Sequence, residues 1–404
     1  MKKYRIETER GDLFDVNMMI AISVTIVAGA SRVQLELAFK NAVASHEILN
    51  TRVTIDNSGA AYYETGDGMG NGLYYTDKNI SELVREQEKI RFRVEQGEFI
   101  RLFVSKDRGE KLQMHFLMHH LGGDGKSLCY FIESFLRNLS GEKLSSNKMA
   151  LLNRDSLPGD SRLPFLVKKY AGKYNRKWKK EKQVFDFVDM DHAYTEFWNR
   201  HQTEIEFYQV EEDDLLKLLR ECHNHDIGFT SYFIAKEIEA CVATQDIGLA
   251  VDGRTDGNRF MGNQATGISV RYQYNRSKSV LENAIKIDCK MKKKLSSNRL
   301  KYFILHFMAE FEPSLIDAVN LEFAGVFHSK TSQRLARLLG YGKKTRDLSI
   351  TNLTVLDIPV DYGDYHLESM WFIPPVVSYA KDVIGIVTVN NRMYVARHKY
   401  QIVK

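Results

Sequence analysis

The sequence predicts a mixed α/β (α+β) protein of two domains, and three observations carry that prediction. Its 404 residues exceed the size at which one hydrophobic core usually stops growing. Apolar residues recur along the chain sometimes at every second position and sometimes at every third or fourth, so each half mixes strands with helices. A composition of 44% hydrophobic, 27% charged and 11% aromatic residues supplies enough core-forming side chains to fold without covalent staples.

The elements follow in order. The first residues, Met1-Lys2-Lys3-Tyr4, run into Glu9 and Arg10 instead of an apolar stretch, which is not the pattern of a secretory leader, and a cytoplasmic location is expected. Met18 to Ala30 is the longest apolar run; a bilayer needs about 20 residues, so this run reads as a buried strand and no transmembrane segment is expected. Ser31 caps a helix, with Gln34 reaching back in a capping box and Leu35, Ala38, Phe39 and Ala42 on one face. Phe99 to Lys106 and Leu112 to Met118 form a hairpin around Asp107-Arg108-Gly109-Glu110, leading into His119. From Lys126, the spacing of Leu128, Phe131, Ile132, Phe135 and Leu139 predicts an amphipathic helix.

Pro158-Gly159-Asp160 breaks the pattern, and the basic run from Lys168 to Lys182 reads as a solvated face or linker. The domains are therefore set at residues 1–183 and 184–404. In the second, Leu215, Leu218, Leu219 and Cys222 mark a helix over Val210 to Cys222. Thr230 caps another that carries Phe233, Ile234, Ile238 and Cys241, and a strand follows over Ile247 to Val251. Val280, Ala284 and Ile287 mark a helix ending in Lys290, Lys292, Lys293 and Lys294, cations that suit a helix C terminus. Val383 to Val389 and Met393 to Arg397 form a final hairpin around Asn390-Asn391.

Several function classes are excluded. Four separated cysteines, Cys129, Cys222, Cys241 and Cys289, offer neither a zinc pattern nor a disulfide framework and are expected as buried small hydrophobes. A net charge of +5 with no stripe of interleaved cations and aromatics argues against nucleic acid.

The chemistry concentrates in His119-His120-Leu121-Gly122-Gly123-Asp124-Gly125, where a strand meets a glycine-rich turn. A neutral imidazole there can take a proton from an attacking alcohol, amine or thiol. Asp124 either orients it as a dyad or turns away to brace the loop through an arginine, and spacing does not separate the two. Paired histidines and an Asp-Gly are equally compatible with a plain surface turn. Neighbouring strand positions face opposite sides, so the two histidines do not chelate one ion, no metal site is expected, and a metal-dependent hydrolase ranks third.

The segment resembles the HHxxxDG signature of the chloramphenicol acetyltransferase-like superfamily, which includes peptide-synthetase condensation domains and alcohol acyltransferases. Ser45-His46-Glu47-Ile48-Leu49-Asn50-Thr51-Arg52 is similar to the "RHExLRTRF" stretch of condensation domains, and Phe92 through Gly97 to Ile100-Arg101 to their next segment. Val251-Asp252-Gly253-Arg254 resembles "vdxR", and Ser349-Ile350-Thr351-Asn352-Leu353 resembles "sxtNlG", with Thr354 where a glycine is common. Asp361-Tyr362-Gly363-Asp364 only echoes the DFGWG of plant acyltransferases.

The resemblance implies two acetyltransferase-like lobes in a V-shaped pseudo-dimer with a tunnel at their interface. It implies His120 as general base, His119 as structural, and Asp124 in a salt bridge with Arg254. Backbone N–H groups at Gly123 to Gly125, or the side chains of Ser349 and Asn352, would hold the oxyanion. The expected activity is that of a stand-alone, monomeric acyltransferase of secondary metabolite, peptide or lipid biosynthesis, with no permanent cofactor. Its acyl donor would be acyl-CoA or a phosphopantetheine thioester on an acyl or peptidyl carrier protein, its acceptor a small-molecule alcohol or amine. The alternative is a non-catalytic condensation-like module that binds a carrier protein.

Overall fold

Met19 to Val27 is apolar on alternate and intervening positions alike, so it fits only where both faces of a sheet are covered. A computed structural model of the chain, describing residues 2–66, 70–105, 110–254, 257–342 and 345–402, places it in the middle of a six-stranded sheet. In chain order the first half forms β1 (Lys3–Arg5), β2 (Met19–Val27), α1 (Arg32–Ser45), β3 (Thr51–Ile55), β4 (Ala61–Thr65), β5 (Gly72–Thr76), α2 (Ile80–Gln87), β6 (Ile100–Ser105), β7 (Lys111–His119), α3 (Gly125–Leu139) and α4 (Phe165–Glu181). Next come α5 (Phe187–Trp198), β8 (His201–Val210), α6 (Glu212–Asn224), α7 (Phe229–Glu237), β9 (Gln245–Asp252), β10 (Ala265–Tyr272), α8 (Val280–Leu295), α9 (Asn298–Lys301), α10 (Phe303–Ala309) and α11 (Pro313–Ala324). The chain ends with α12 (Lys330–Leu339), β11 (Leu348–Val355), β12 (Asp361–Tyr362), β13 (Tyr365–Ile373), β14 (Asp382–Val389) and β15 (Arg392–Ile402).

One sheet runs β12-β13-β2-β7-β6-β5, the other β10-β9-β11-β14-β15-β8, and β1-β4-β3 is a small third. The first packs with α1 and α3 over a core containing Ile22, Phe116, Phe131 and Phe135. The second packs α6, α7 and α8 over Leu249, Ile268, Ile350 and Val395. A chain split at residue 183 does not follow these sheets. β12 and β13 complete the first sheet, with β13 antiparallel to β2 (Phe372 opposite Ile22), and α5 ties back to the first half through Asp191 on Arg91 and Arg93.

Local signals read from the sequence hold where a side chain can satisfy a helix end. Ser31 Oγ accepts from the Gln34 N–H and Gln34 Oε1 accepts from the Ser31 N–H. Asn390 and Asn391 take φ of 50° and 57° in the final hairpin. Other expectations are corrected. The basic run is not a linker but α4, because Ala171 and Trp178 give it a stripe to bury. Val210 closes β8, and α6 starts only at Glu212. α7 is capped by Gly228, places Thr230 in its first turn, and stops at Glu237 before Ile238 and Cys241. Cys129 and Cys222 are buried, but Cys241 is half-buried and Cys289 exposed. The expected turn at Asp107-Arg108-Gly109, and Lys106 before it, lie outside the described residues.

Candidate active site

β7 ends at His119 between two neighbours that hold both histidines by their backbones. The His119 N–H donates to the Phe99 carbonyl at 2.9 Å and the His120 N–H to the Met18 carbonyl at 2.8 Å. One helical turn over 120–122 follows, then Gly123 with φ of 149°, where a Cβ would stand 2.5 Å from Ser127 Cβ, so a side chain is barred. Asp124 caps α3, its Oδ1 accepting the Ser127 N–H at 2.9 Å.

The histidines differ in surroundings. His119 is 1% exposed, lies edge-on to Phe92, and takes the Leu121 N–H on Nδ1 at 3.1 Å. Burial, then the charges of His120, Arg91 and Arg101, pushes its pKa down to about 3, so it stays neutral. His120 is part-exposed. Burial lowers its pKa, opposed by the Asp124 charge, so its ring is a neutral acceptor at pH 7. Its Nδ1 is buried with no partner, and Nε2 makes no hydrogen bond among the described residues.

Asp124 makes no hydrogen bond to this ring among the described residues. Arg254 donates to it in bidentate fashion, Nη1 to Oδ2 at 2.9 Å and Nη2 to Oδ1 at 3.0 Å, and the Gln264 N–H adds 3.0 Å to Oδ2. Arg254 also reaches Asp252 Oδ1 at 3.1 Å and Ser127 Oγ at 3.0 Å. The aspartate thus clamps the start of α3, in one lobe, to the loop between β9 and β10, in the other. Of the two arrangements open in the sequence, the ion pair with an arginine is present.

Gly125 stands where β11 and β13 meet α3: a Cβ there would lie 2.9 Å from Leu353 Cδ2 and 3.1 Å from the Phe372 ring. The Gly123 N–H is spent on the His120 carbonyl at 3.1 Å, whereas the Gly125 N–H makes no hydrogen bond among the described residues. Ser349 and Asn352 fall on opposite faces of β11. Asn352 is engaged elsewhere, its Nδ2 donating to Thr230 Oγ1 at 3.1 Å and its Oδ1 accepting the Thr354 N–H at 2.7 Å. Ser349 stands beside Gly248, where a Cβ would meet its Oγ at 2.8 Å.

Sequence reasoning missed the acidic segment beneath the loop. Tyr63 Oη lies 2.9 Å from both the Leu121 carbonyl and Glu9 Oε1. A hydroxyl has one hydrogen and the carbonyl can only accept, so the Glu9 contact is satisfied when Glu9 is protonated and donates to Tyr63. Burial first, then the Asp12 charge, drives the Glu9 carboxyl well above its ordinary range, in agreement. Asp12, bonded by Asn263 Nδ2 at 2.7 Å, is part-exposed, yet burial and the Asp15 charge lift its pKa to about 7. Tyr379, 40% exposed, is likewise raised by burial. Asp12 and Tyr379 are thus reached by solvent at one side and desolvated over the rest, and His120 is of the same kind. The run Glu9, Asp12, Asp15 at three-residue spacing was the one signal available. Among the described residues no cluster of His, Cys, Asp and Glu could hold a metal, and no helix is long and apolar enough to cross a membrane.

The fold recurs in solved structures over nearly the whole chain. The trichothecene 15-O-acetyltransferase of Fusarium sporotrichioides matches with a TM-score of 0.66 at 13% identity, over 98% of this chain and 90% of its own. The condensation domain of the Monacolin K polyketide synthase matches at 0.64 and 10%, over 99% and 92%. A starter condensation domain of rhizomide synthetase, a mutant in complex with C8-CoA, matches at 0.60 and 11%, over 98% and 88%. No family model and no curated protein matches the sequence.

Proposed function

We propose, from the premise that this chain has the two-lobed fold of condensation domains and chloramphenicol acetyltransferase-like acyltransferases, that it moves an acyl group from a thioester to a hydroxyl or amine. The observation that carries this reading is His120: a neutral, part-exposed imidazole with an unengaged Nε2, held by its backbone at the end of a buried strand. His120 takes the proton of the acceptor as its oxygen or nitrogen attacks the thioester carbonyl. The carbonyl π pair moves onto oxygen, and the free Gly125 N–H at the start of α3 donates to that oxyanion, where the helix dipole also favours negative charge. Collapse breaks the C–S bond, the imidazolium returns the proton to the leaving thiolate, and the ester or amide is released.

Asp124 and Arg254 act by holding the loop against the second lobe. Acyl-CoA and a carrier-bound phosphopantetheine present the same thioester, and either is a suitable donor. The test uses purified wild type and His120→Ala with acyl-CoA, a carrier-bound acyl thioester and a panel of small alcohols and amines. Loss of about 10²–10⁴-fold in turnover at unchanged melting temperature is expected. Equal turnover by two folded proteins excludes the base role, and carrier binding without thioester consumption by wild type points to a docking module.

A further inference from the structure

The chain carries +5 overall, yet Lys168 to Lys182 holds eight cations against the single anion Glu181, so outside this run the charge is slightly negative. α4 sorts these side chains by face. Ala171 and Trp178 are fully buried, the indole N–H on Ser314 Oγ at 2.9 Å, which seats the helix on the body of the protein. Lys169, Lys173, Arg176 and Lys180, at successive spacings of four, three and four, occupy the opposite face and are exposed. Among the described residues these four make no ion pair, whereas Lys168 and Lys182, nearer the body, reach Glu310 and Glu312 at 3.9 Å. α12 packs beside α4 and adds exposed Lys330, Arg334 and Arg337. At the first turn of α4, Phe165 and Leu166 both project with 75% of their surface exposed.

A solvated charged face does not need two adjacent large apolar side chains at its tip. We propose that the outer face of α4 docks on an anionic lipid surface, with Lys169, Lys173, Arg176 and Lys180 over the phosphates and Phe165 and Leu166 inserted between headgroups. The charge is complementary to that of an anionic leaflet, and a row of cations along one exposed helix ridge matches a plane of phosphates. A bilayer interface yields around protruding apolar side chains, whereas a folded acidic protein would have to offer a pocket for each. The inference rests on this surface alone and stands or falls separately from the acyl-transfer reading.

The experiment sediments the full-length protein with vesicles of phosphatidylcholine alone or with about 30 mol% phosphatidylserine. Partitioning onto the anionic vesicles is expected to exceed that onto neutral ones by at least about tenfold, and to weaken with salt. Combining Lys169→Glu, Lys173→Glu, Arg176→Glu and Lys180→Glu should remove that excess at unchanged melting temperature. Phe165→Ser with Leu166→Ser should lower binding severalfold even at high salt, where the charge contribution is screened. Equal binding to both vesicle types, or undiminished binding by the charge-reversed protein, overturns the proposal. So does retention of an acidic carrier protein by wild type and not by the charge-reversed protein, with no vesicle binding by either.

Discussion

The ring of His120 feels two opposed influences, desolvation that keeps it neutral and the Asp124 charge that favours protonation, and burial is the larger. A base must be unprotonated to work, and a lowered pKa keeps it so into more acidic solution. The acidic limb of kcat/KM should therefore fall below pH 6.5, the ordinary histidine value, and a limb at or above it would count against His120. Asp124→Asn should move the limb further down by removing the opposing charge. The same substitution removes one of the two carboxylates paired with buried Arg254 and leaves only Asp252, so the melting temperature should fall with it, for a loss below the roughly 3–5 kcal/mol of a fully broken buried pair. Lost turnover at unchanged melting temperature would instead mark Asp124 as a proton relay. The loop residues from His119 to Gly125 were legible because they are contiguous. Glu9 and Tyr63 were not, because a hydroxyl shared between residue 9 and residue 121 is a tertiary contact with no local pattern.

Among the elements, β11 carries a local strain that the resemblance had marked in advance. Thr354 replaces a common glycine and sits at φ 65°, a left-handed conformation that is a genuine outlier for a β-branched residue. That conformation costs an L-residue about 1–2 kcal/mol, partly offset in glycine by its greater chain entropy. Thr354→Gly should leave the melting temperature equal or higher despite loss of the threonine hydroxyl, and a clear drop in calorimetry would refute the strain. Elements with a side-chain cap, such as α1, were readable to the residue. α7 was misplaced because Gly228 caps it without a side chain, so Thr230, the nearest conventional capping residue, drew the start two positions late.

At the scale of the whole molecule, several buried histidines oppose folding in acid. Burial holds His46 and His115 at about 4 and His119 at about 3, while in the unfolded chain each titrates near 6.5. A depressed histidine pKa means the unfolded state binds protons first. The penalty is absent above pH 6.5 and grows as pH falls toward the folded values, reaching about 2 kcal/mol per group at pH 5 by linkage. Buried carboxyls act the opposite way, Asp12 held at about 7 and Asp15 at about 6 losing their penalty over the same window. The histidine contribution is therefore read as a difference: the urea midpoint of wild type relative to His115→Asn should fall between pH 6.5 and 5, and a difference constant over that window would mean this imidazole is less desolvated than the fold implies. Length and the mixed periodicities suggested two α/β halves, and the two-lobed plan came from the resemblance carried by the motifs. The exchange of β12 and β13 into the first sheet was not, since any apolar strand of suitable length fits either sheet and only packing selects one.

That exchange reaches into how the protein is made. The strand that flanks β2 on one side lies near the C terminus, Ile22 facing Phe372, so a growing polypeptide leaving the ribosome presents Met19 to Val27 with one edge open until nearly all of the remainder has emerged. At roughly 5–20 residues per second that interval lasts on the order of tens of seconds, ample for an apolar edge to recruit a stray strand from another nascent chain. Production of this protein should accordingly lean on holdase chaperones, and any truncation ending ahead of Tyr365 would leave that vulnerability permanent.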